Sequence, residues 1–152
     1  MIEIKKSITI DCPVEAVFAL CTDIRQEPRW RPRIKEARFL DEVREGGPQP
    51  GTRARYISYL FGKRIVSDVR FTAVEPNRSF SFEVAGRIKV RGTHTFEPLN
   101  GSTRVLIHHQ GTFSGFLRFL EPLLGMLAAR GIREDLKRLK QLMESGEYEH
   151  TS

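Results

Sequence analysis

The stretch THTFEPLNGSTRVLIHHQGTF, residues 93–113, predicts a β-hairpin and, through it, the fold of the chain. Asn100-Gly101 is a strong hairpin signal, because both residues tolerate the positive φ angles that a two-residue turn needs. A two-residue turn at this point places Glu97 opposite Arg104, so that opposite charges meet across the two strands. The charge pair supports this register, and the register decides which side chains face the interior.

This register assigns the adjacent histidines to opposite faces of the sheet. Val105 and Ile107 mark one face as the interior, and side chains alternate along a strand. His109 therefore points inward and His108 outward, while His94 on the partner strand is an inward diagonal neighbour of His109. The inward pair is predicted to be neutral through burial. Three roles remain open for it: lining a pocket, acting as a general base, or filling a core. A zinc site would need a third ligand.

Hydrophobic periodicity and turn signals place the other elements. The predicted order is a strand at 2–10, short helices at 13–21 and 23–30, strands at 33–43, 52–60, 63–74, 79–85, 87–99 and 102–113, and one long helix from Pro122. A tight turn at Phe61-Gly62 and further hairpin connections predict an antiparallel sheet, which must bury one face. The long helix, about 35 Å in length, is the one predicted element large enough to cover it.

Five segments in this order resemble the helix-grip fold of the START-related SRPBCC superfamily, and most closely its polyketide cyclase/dehydrase-type branch. They are ITIDCPVEAVFALCTD (8–23), WRPRI (30–34), VEPNRSFSF (74–82), FEPLNGSTRV (96–105) and LKRLKQLME (136–144). The resemblance implies an α+β fold in which a curved seven-stranded antiparallel sheet wraps around the long C-terminal helix, with two short helices after the first strand. It also implies a hydrophobic cavity between sheet and helix.

The sequence independently favours such a cavity. Ala128, Ala129 and Gly131 are small residues in the middle of the long helix, and dense packing would call for bulk there. Close approach of the helix to the sheet is the alternative. The predicted ligand-binding residues include Trp30 at the rim and two helix residues; the full set is Trp30, Tyr56, Phe71, Phe82, His94, His109, Phe113, Leu124 and Ala128. A plain core would use the same aromatic residues, and no inward Asp or Glu is predicted.

Composition limits the class of protein. The chain has 152 residues and a net charge of +6, with 39% hydrophobic and 29% charged residues, which suits one domain, predicted at 1–146 with a short disordered tail at 147–152. A signal-like amino terminus and a spanning segment are lacking. Cys12 and Cys21 look like reduced, buried residues. We therefore predict a cytoplasmic protein without a metal or other cofactor.

Three functions remain open. The first is a carrier or sensor that binds a small hydrophobic molecule of lipid, polyketide or aromatic type without catalysis. The second is a polyketide cyclase or dehydratase, in which His94, His109 or Tyr56 would move protons. The third is a module that binds protein, RNA or membrane through its basic surface, for which RQEPRWRPRIK (25–35) is the densest cluster. We favour a solvated turn around a core tryptophan for that cluster, predict no nucleic-acid partner, and regard a homodimer as compatible with the sequence.

Overall fold

The first strand leads into two short helices before the sheet resumes, in a computed structural model that describes residues 1–60, 62–85 and 88–149. The strands are β1 (Ile2–Ile10), β2 (Ile34–Phe39), β3 (Arg53–Leu60), β4 (Lys63–Glu75), β5 (Ser79–Ala85), β6 (Ile88–Leu99) and β7 (Ser102–Phe113). The α-helices are α1 (Val14–Thr22) and α2 (Glu121–Glu144), and 3-10 helices cover Ile24–Arg29, Gly115–Leu120 and Glu147–Glu149.

The seven strands form one antiparallel sheet in the order β1-β7-β6-β5-β4-β3-β2. The last strand, β7, therefore pairs with the first strand, β1. Every other pair joins strands that are adjacent in sequence. The predicted hairpin register is confirmed, with Glu97 opposite Arg104 and their charged atoms 3.5 Å apart. Asn100 and Gly101 have φ angles of 49° and 91°, the left-handed conformation that this turn requires. The predicted α+β helix-grip fold is therefore confirmed.

The observed elements differ from the predicted ones at several points. Pro13 precedes α1 as its N-cap rather than being its first residue. β2 ends at Phe39, four residues early, because Asp41 bonds instead to the backbone and side chain of Arg53. Pro122 lies in the first turn of α2 and does not kink it, as suits a residue without an N–H. The unpredicted 3-10 helix Gly115–Leu120 precedes it. Phe61 of the predicted turn lies outside the described residues.

The long helix is anchored by its C-terminal half. Leu136, Leu139 and Met143 are buried there, and Lys140 Nζ donates a hydrogen bond of 2.6 Å to the carbonyl of Thr9 in β1. The first half of α2 is much more open, as Leu127 illustrates with 48% exposure. The helix is thus held firmly at one end of the sheet and covers the other end loosely.

Aromatic rings fill the core between α1 and the middle of the sheet. Phe18 of α1 contacts Phe96 and Phe80 edge-on, with ring centroids 5.2 and 6.4 Å apart. Cys12 and Cys21 are buried as thiols and not as a disulfide, and desolvation raises the pKa of Cys21. The core is therefore closely packed around Phe18, whereas the first half of α2 is open.

Part of the predicted disordered tail is ordered. Residues 147–149 form a short 3-10 helix, and Tyr148 packs against the core. The guanidinium of Arg29 explains the order, because it donates hydrogen bonds to the carbonyls of Glu147 and Tyr148 at 2.6 and 3.5 Å. Residues 150–152 lie outside the described residues.

Candidate ligand-binding site

A cavity of about 350 Å³ lies between the inner face of the sheet and the first half of α2. Apolar side chains of β4, β5 and β6 form most of its wall, and Ala128 and Ile132 of α2 face them. Eight polar residues also line it, namely Glu27, Arg31, Arg33, Tyr56, Ser58, Ser67, His94 and His109. A mostly apolar concave site with a few convergent polar groups is typical of small-molecule binding sites.

Two wider concavities exist, of about 690 and 880 Å³. The first runs over the outer face of the sheet among exposed ion pairs such as Arg55–Asp68. The second lies beside α1 and includes Arg44 and Glu45, both exposed. The smaller cavity is the better candidate site, because buried ionisable groups converge only there among these three.

Six of the nine predicted ligand-binding residues line this cavity. They are Tyr56, Phe71, Phe82, His94, His109 and Ala128. Their common position follows from the alternation of side chains along each strand. Tyr56 lies opposite Ser67, and Phe71 lies opposite Phe82, so that these side chains share the inner face of the sheet. The sequence therefore predicted correctly that these six residues lie together on one wall. That they bind a ligand remains a prediction.

The other three predicted residues are not among those that line the cavity. Trp30, expected at the rim, is only 3% exposed and belongs to the hydrophobic core, because its neighbours Ile24 and Ile34 are buried around the same turn. Phe113 is partly buried and pairs with Ile88, which does line the cavity. Leu124 is partly buried one helical turn before Ala128.

The two inward histidines form a direct pair. Their Nε2 atoms are 3.0 Å apart and their rings are stacked at 16°, so one neutral ring donates its proton to the other. Burial lowers the pKa of His94 well below its usual value, with contributions from His109 and Arg31. Burial, with the charge of Arg31, lowers the pKa of His109 to about 4. The pair is therefore neutral at pH 7, and one N–H donates a hydrogen bond to the other ring.

A glycine makes room for this pair. A Cβ atom on Gly92 would come within 2.5 Å of the Phe82 ring and 2.8 Å of His109 Cδ2. Phe82 in turn stands edge-on to both histidines, at centroid distances of 5.5 and 5.4 Å. Gly92 was missed in the sequence, where an isolated glycine inside a strand pattern is a signal for close approach.

The prediction that no inward Asp or Glu exists is wrong. Glu27 is buried on the cavity wall, where Oε1 accepts a hydrogen bond from the Tyr56 hydroxyl at 2.9 Å and Oε2 accepts one from Arg31 at 2.8 Å. Burial raises the pKa of Glu27, and Arg31 opposes this shift. Burial and the Glu27 charge likewise raise the pKa of Tyr56. The four-residue spacing of Glu27 and Arg31 was the available signal.

A second buried carboxylate, Asp135 of α2, gathers arginines from two parts of the chain. Arg31 and Arg33 approach it from the turn before β2, and Arg138 from its own helix, each at 3.6 Å. On the same helix, Glu134 pairs with Lys137 and not with Arg138. Much of the basic cluster thus ties α2 to the turn over the cavity.

The arrangement can hold a ligand, orient an oxygen and move a proton. Arg31 is about a third exposed and supplies a fixed positive charge, Tyr56 supplies a hydroxyl, and the histidine pair supplies a donor and an acceptor. Within residues 1–60, 62–85 and 88–149, no group of three or more His, Cys, Asp or Glu is placed to hold a metal ion. No helix in that part of the chain is long and apolar enough to cross a bilayer.

The chain belongs to the family described as polyketide cyclase/dehydrase and lipid transport, whose sequence model matches residues 1–144. A search among curated proteins finds no significant match. The family therefore defines the class of protein but leaves its reaction and ligand open.

Solved structures share the fold at low sequence identity. A START superfamily protein from Mycobacterium smegmatis is 17% identical with a TM-score of 0.81, and the match covers 95% of this chain and 99% of that one. The Zhui aromatase/cyclase from Streptomyces sp. R1128 is 14% identical, with a TM-score of 0.75 and 93% of both chains covered. The di-domain ARO/CYC BexL of the BE-7585A biosynthetic pathway is 19% identical, with a TM-score of 0.76, and the match covers 95% of this chain and 47% of that one.

Proposed function

We propose that this protein binds one compact, largely apolar molecule in the cavity between the sheet and α2, as a carrier or sensor. The observation that carries the proposal is a cavity of about 350 Å³ whose mostly apolar wall also contains ionisable side chains, among them Arg31, Tyr56 and the histidine pair. This volume is near the lower end for ligand sites. It favours a molecule of a few rings or a short folded chain over a large lipid. The cytoplasmic location remains a prediction from the sequence, with which a homodimer is compatible.

The polar groups favour a ligand that carries oxygen. Arg31 keeps its charge, because Glu27 and Asp135 more than offset the burial that lowers its pKa. A carbonyl, phenol or carboxylate could accept hydrogen bonds from this guanidinium. Aromatic side chains such as Phe71 and Phe82 would contact the apolar remainder of the molecule. A purely hydrocarbon ligand would displace water from the partly exposed Arg31 guanidinium without replacing its hydrogen bonds, at a cost in affinity.

Titration with the fluorophore 1-anilinonaphthalene-8-sulfonate tests this proposal. It carries both an apolar ring system and an anionic group, and its emission rises in apolar sites. Ala128→Phe fills the cavity from the helix side, and Ala129→Phe is the matched control, since Ala129 does not line the cavity. We expect about tenfold weaker binding for Ala128→Phe and unchanged binding for Ala129→Phe. Equal affinities for both folded variants would refute the site.

A second candidate function is cyclisation or dehydration of a poly-β-keto chain. The observation that favours it is an acid/base constellation around one cavity: the neutral histidine pair faces the same space as the Tyr56 hydroxyl and the buried Glu27. A neutral imidazole could remove the proton next to a carbonyl, while Tyr56 or Arg31 stabilises the enolate oxygen. Confinement of the chain in a folded shape would add to the rate.

Product analysis distinguishes the two candidates. A reactive poly-β-ketone is incubated with the wild-type protein and with His94→Gln and His109→Gln, and the products are measured by mass spectrometry. An enzyme would shift the product distribution, and both substitutions would abolish the shift while fluorophore binding persists. Binding by the wild-type protein with an unchanged product distribution would leave the carrier as the function.

A further inference from the structure

Six large apolar side chains are exposed together at the start of α2 and in the 3-10 helix before it. We call these residues the apolar patch: Phe116, Phe119, Leu120, Leu123, Met126 and Leu127. Phe119 is 82% exposed, Phe116 75% and Met126 63%. All six residues of the 3-10 helix Gly115–Leu120 are described, and none of them is buried. Single exposed apolar residues are ordinary, but a contiguous group of this kind marks an interaction surface.

The charge around the patch is positive. Arg118 lies between the two phenylalanines, and Arg130 and Arg133 continue the exposed side of α2, one and two turns beyond Met126. The one acidic residue within 115–133, Glu121, forms an ion pair with the amino-terminal ammonium group. A helical segment with large apolar side chains and flanking arginines is typical of binding in the plane of an anionic lipid surface.

The patch adjoins the cavity. Ala128 lines the cavity directly after Leu127 of the patch, on the same helix. On the sheet side, Ile88 both lines the cavity and is 38% exposed, and it pairs with Phe113, two residues before the 3-10 helix. A surface that covered the patch would therefore lie next to one side of the cavity. An apolar ligand could then pass between the cavity and that surface.

We propose that the apolar patch docks onto the surface of an anionic lipid bilayer, with the phenylalanines inserted between headgroups and the arginines bound to lipid phosphates. This goes beyond ligand binding, because it assigns a membrane partner and a place of ligand exchange. An apolar molecule in the cavity would partition into the bilayer without crossing water. The docking is peripheral and rests on side chains of one short segment.

Charge disfavours a second copy of the chain as the occupant. A two-fold dimer brings the same surface of both subunits together, so Arg118, Arg130 and Arg133 of one copy would face those of the other. Like charges at an interface cost free energy when they are desolvated. Anionic lipid phosphates instead complement these arginines, and each basic residue near such a surface contributes about 1 kcal/mol.

Vesicle co-sedimentation of the full chain tests the proposal, with vesicles of phosphatidylcholine alone or with about a third phosphatidylglycerol. We expect the wild-type protein to bind the anionic vesicles at least about tenfold more tightly, and binding to weaken as salt rises. Phe119→Ser combined with Met126→Ser should reduce binding about tenfold. Leu99→Ser is the control, since Leu99 is exposed at the opposite end of the β6–β7 hairpin.

Charge variants and a sedimentation experiment complete the test. Arg130→Glu should weaken binding to anionic vesicles. Arg44→Glu should not, because Arg44 is exposed in the segment between β2 and β3 and does not belong to the apolar patch. Absence of wild-type binding at low salt, or equal binding by the patch variants and the controls, would overturn the proposal. So would sedimentation equilibrium showing a dimer that Phe119→Ser dissociates while wild-type vesicle binding is absent, because the patch would then be an interface between copies.

Discussion

The Tyr56 hydroxyl holds the buried carboxylate of Glu27 against the cavity wall. Tyr56→Phe removes that hydrogen bond, so that Glu27 Oε1 loses its partner while Arg31 still binds the other oxygen. We expect the free energy of unfolding to fall by about 1–3 kcal/mol, measured by urea denaturation. Tyr59→Phe is the matched control, since Tyr59 is 46% exposed. An equal loss in both variants would show that the bond to Glu27 contributes nothing.

The histidine pair predicts how stability depends on pH. The pKa of His109 falls from 6.5 to about 4 in the folded protein, so the unfolded chain binds its proton first as pH decreases. The contribution of His109 to the free energy of unfolding should therefore have its full value above pH 6.5 and should decrease as pH falls toward 4. His109→Gln should flatten this slope, since Glu27 and Asp135 are present in both proteins and titrate oppositely. Parallel slopes in the two proteins would contradict the buried neutral pair.

For single residues, the sequence predicted the direction of a side chain correctly where that residue lies in a regular strand. The His94–His109 contact followed from one turn and strict alternation of side chains. Glu27 escaped prediction because it lies in a short 3-10 helix, which has no periodic apolar stripe to show which side chain turns inward. Trp30, which the site prediction placed at the rim, follows this helix directly, and its burial agrees with the core tryptophan that we favoured for the basic cluster.

Among the elements, the close contact of β6 with the cavity wall depends on Gly92. Gly92→Ala should lower the free energy of unfolding by about 1–3 kcal/mol and displace Phe82 and His109, with weaker fluorophore binding as a result. Gly111→Ala is the control on the neighbouring strand, because its Cβ would meet nothing closer than 3.9 Å. Denaturation and fluorophore titration measure both effects. Unchanged stability in Gly92→Ala would show that the strand has room for a methyl group.

The two halves of α2 should differ in what they contribute to stability. Leu139 is fully buried in the C-terminal half, and Leu139→Ala should cost about 2–5 kcal/mol of unfolding free energy. Leu127 is 48% exposed in the apolar patch, and Leu127→Ala should cost about 0.5 kcal/mol or less. Urea denaturation compares the two. Similar losses would mean that the first half of the helix is buried in solution.

Elements were predicted better than their ends. The strands and the long helix have clear hydrophobic periodicity, so their order and the pairing of the strands could be predicted from the sequence. The 3-10 helix Gly115–Leu120 had no such period, because GFLRFL has one charged residue, Arg118, among apolar ones and none of it is buried. The ordered residues 147–149 depend on Arg29 from a distant part of the chain, and no local pattern carries that information.

At the scale of the whole molecule, the net charge of +6 is divided between structure and surface. Arg31 and Arg33 approach a buried carboxylate, and Arg29 binds backbone carbonyls. Arg31 and Arg33 thus connect the turn to α2, and Arg29 connects it to residues 147–149. Arg118, Arg130 and Arg133 are exposed around the apolar patch. Three arginines of the densest basic cluster therefore have structural partners, although Arg29 and Arg33 are also exposed.

Native mass spectrometry of the protein purified from its own cells tests the central claim most directly. We predict that a small apolar molecule bearing oxygen co-purifies with the wild-type chain at one per protein, is retained by Ala129→Phe and is lost from Ala128→Phe. An unliganded wild-type protein that also fails to bind 1-anilinonaphthalene-8-sulfonate would contradict the claim. So would a molecule that remains bound when the cavity is filled.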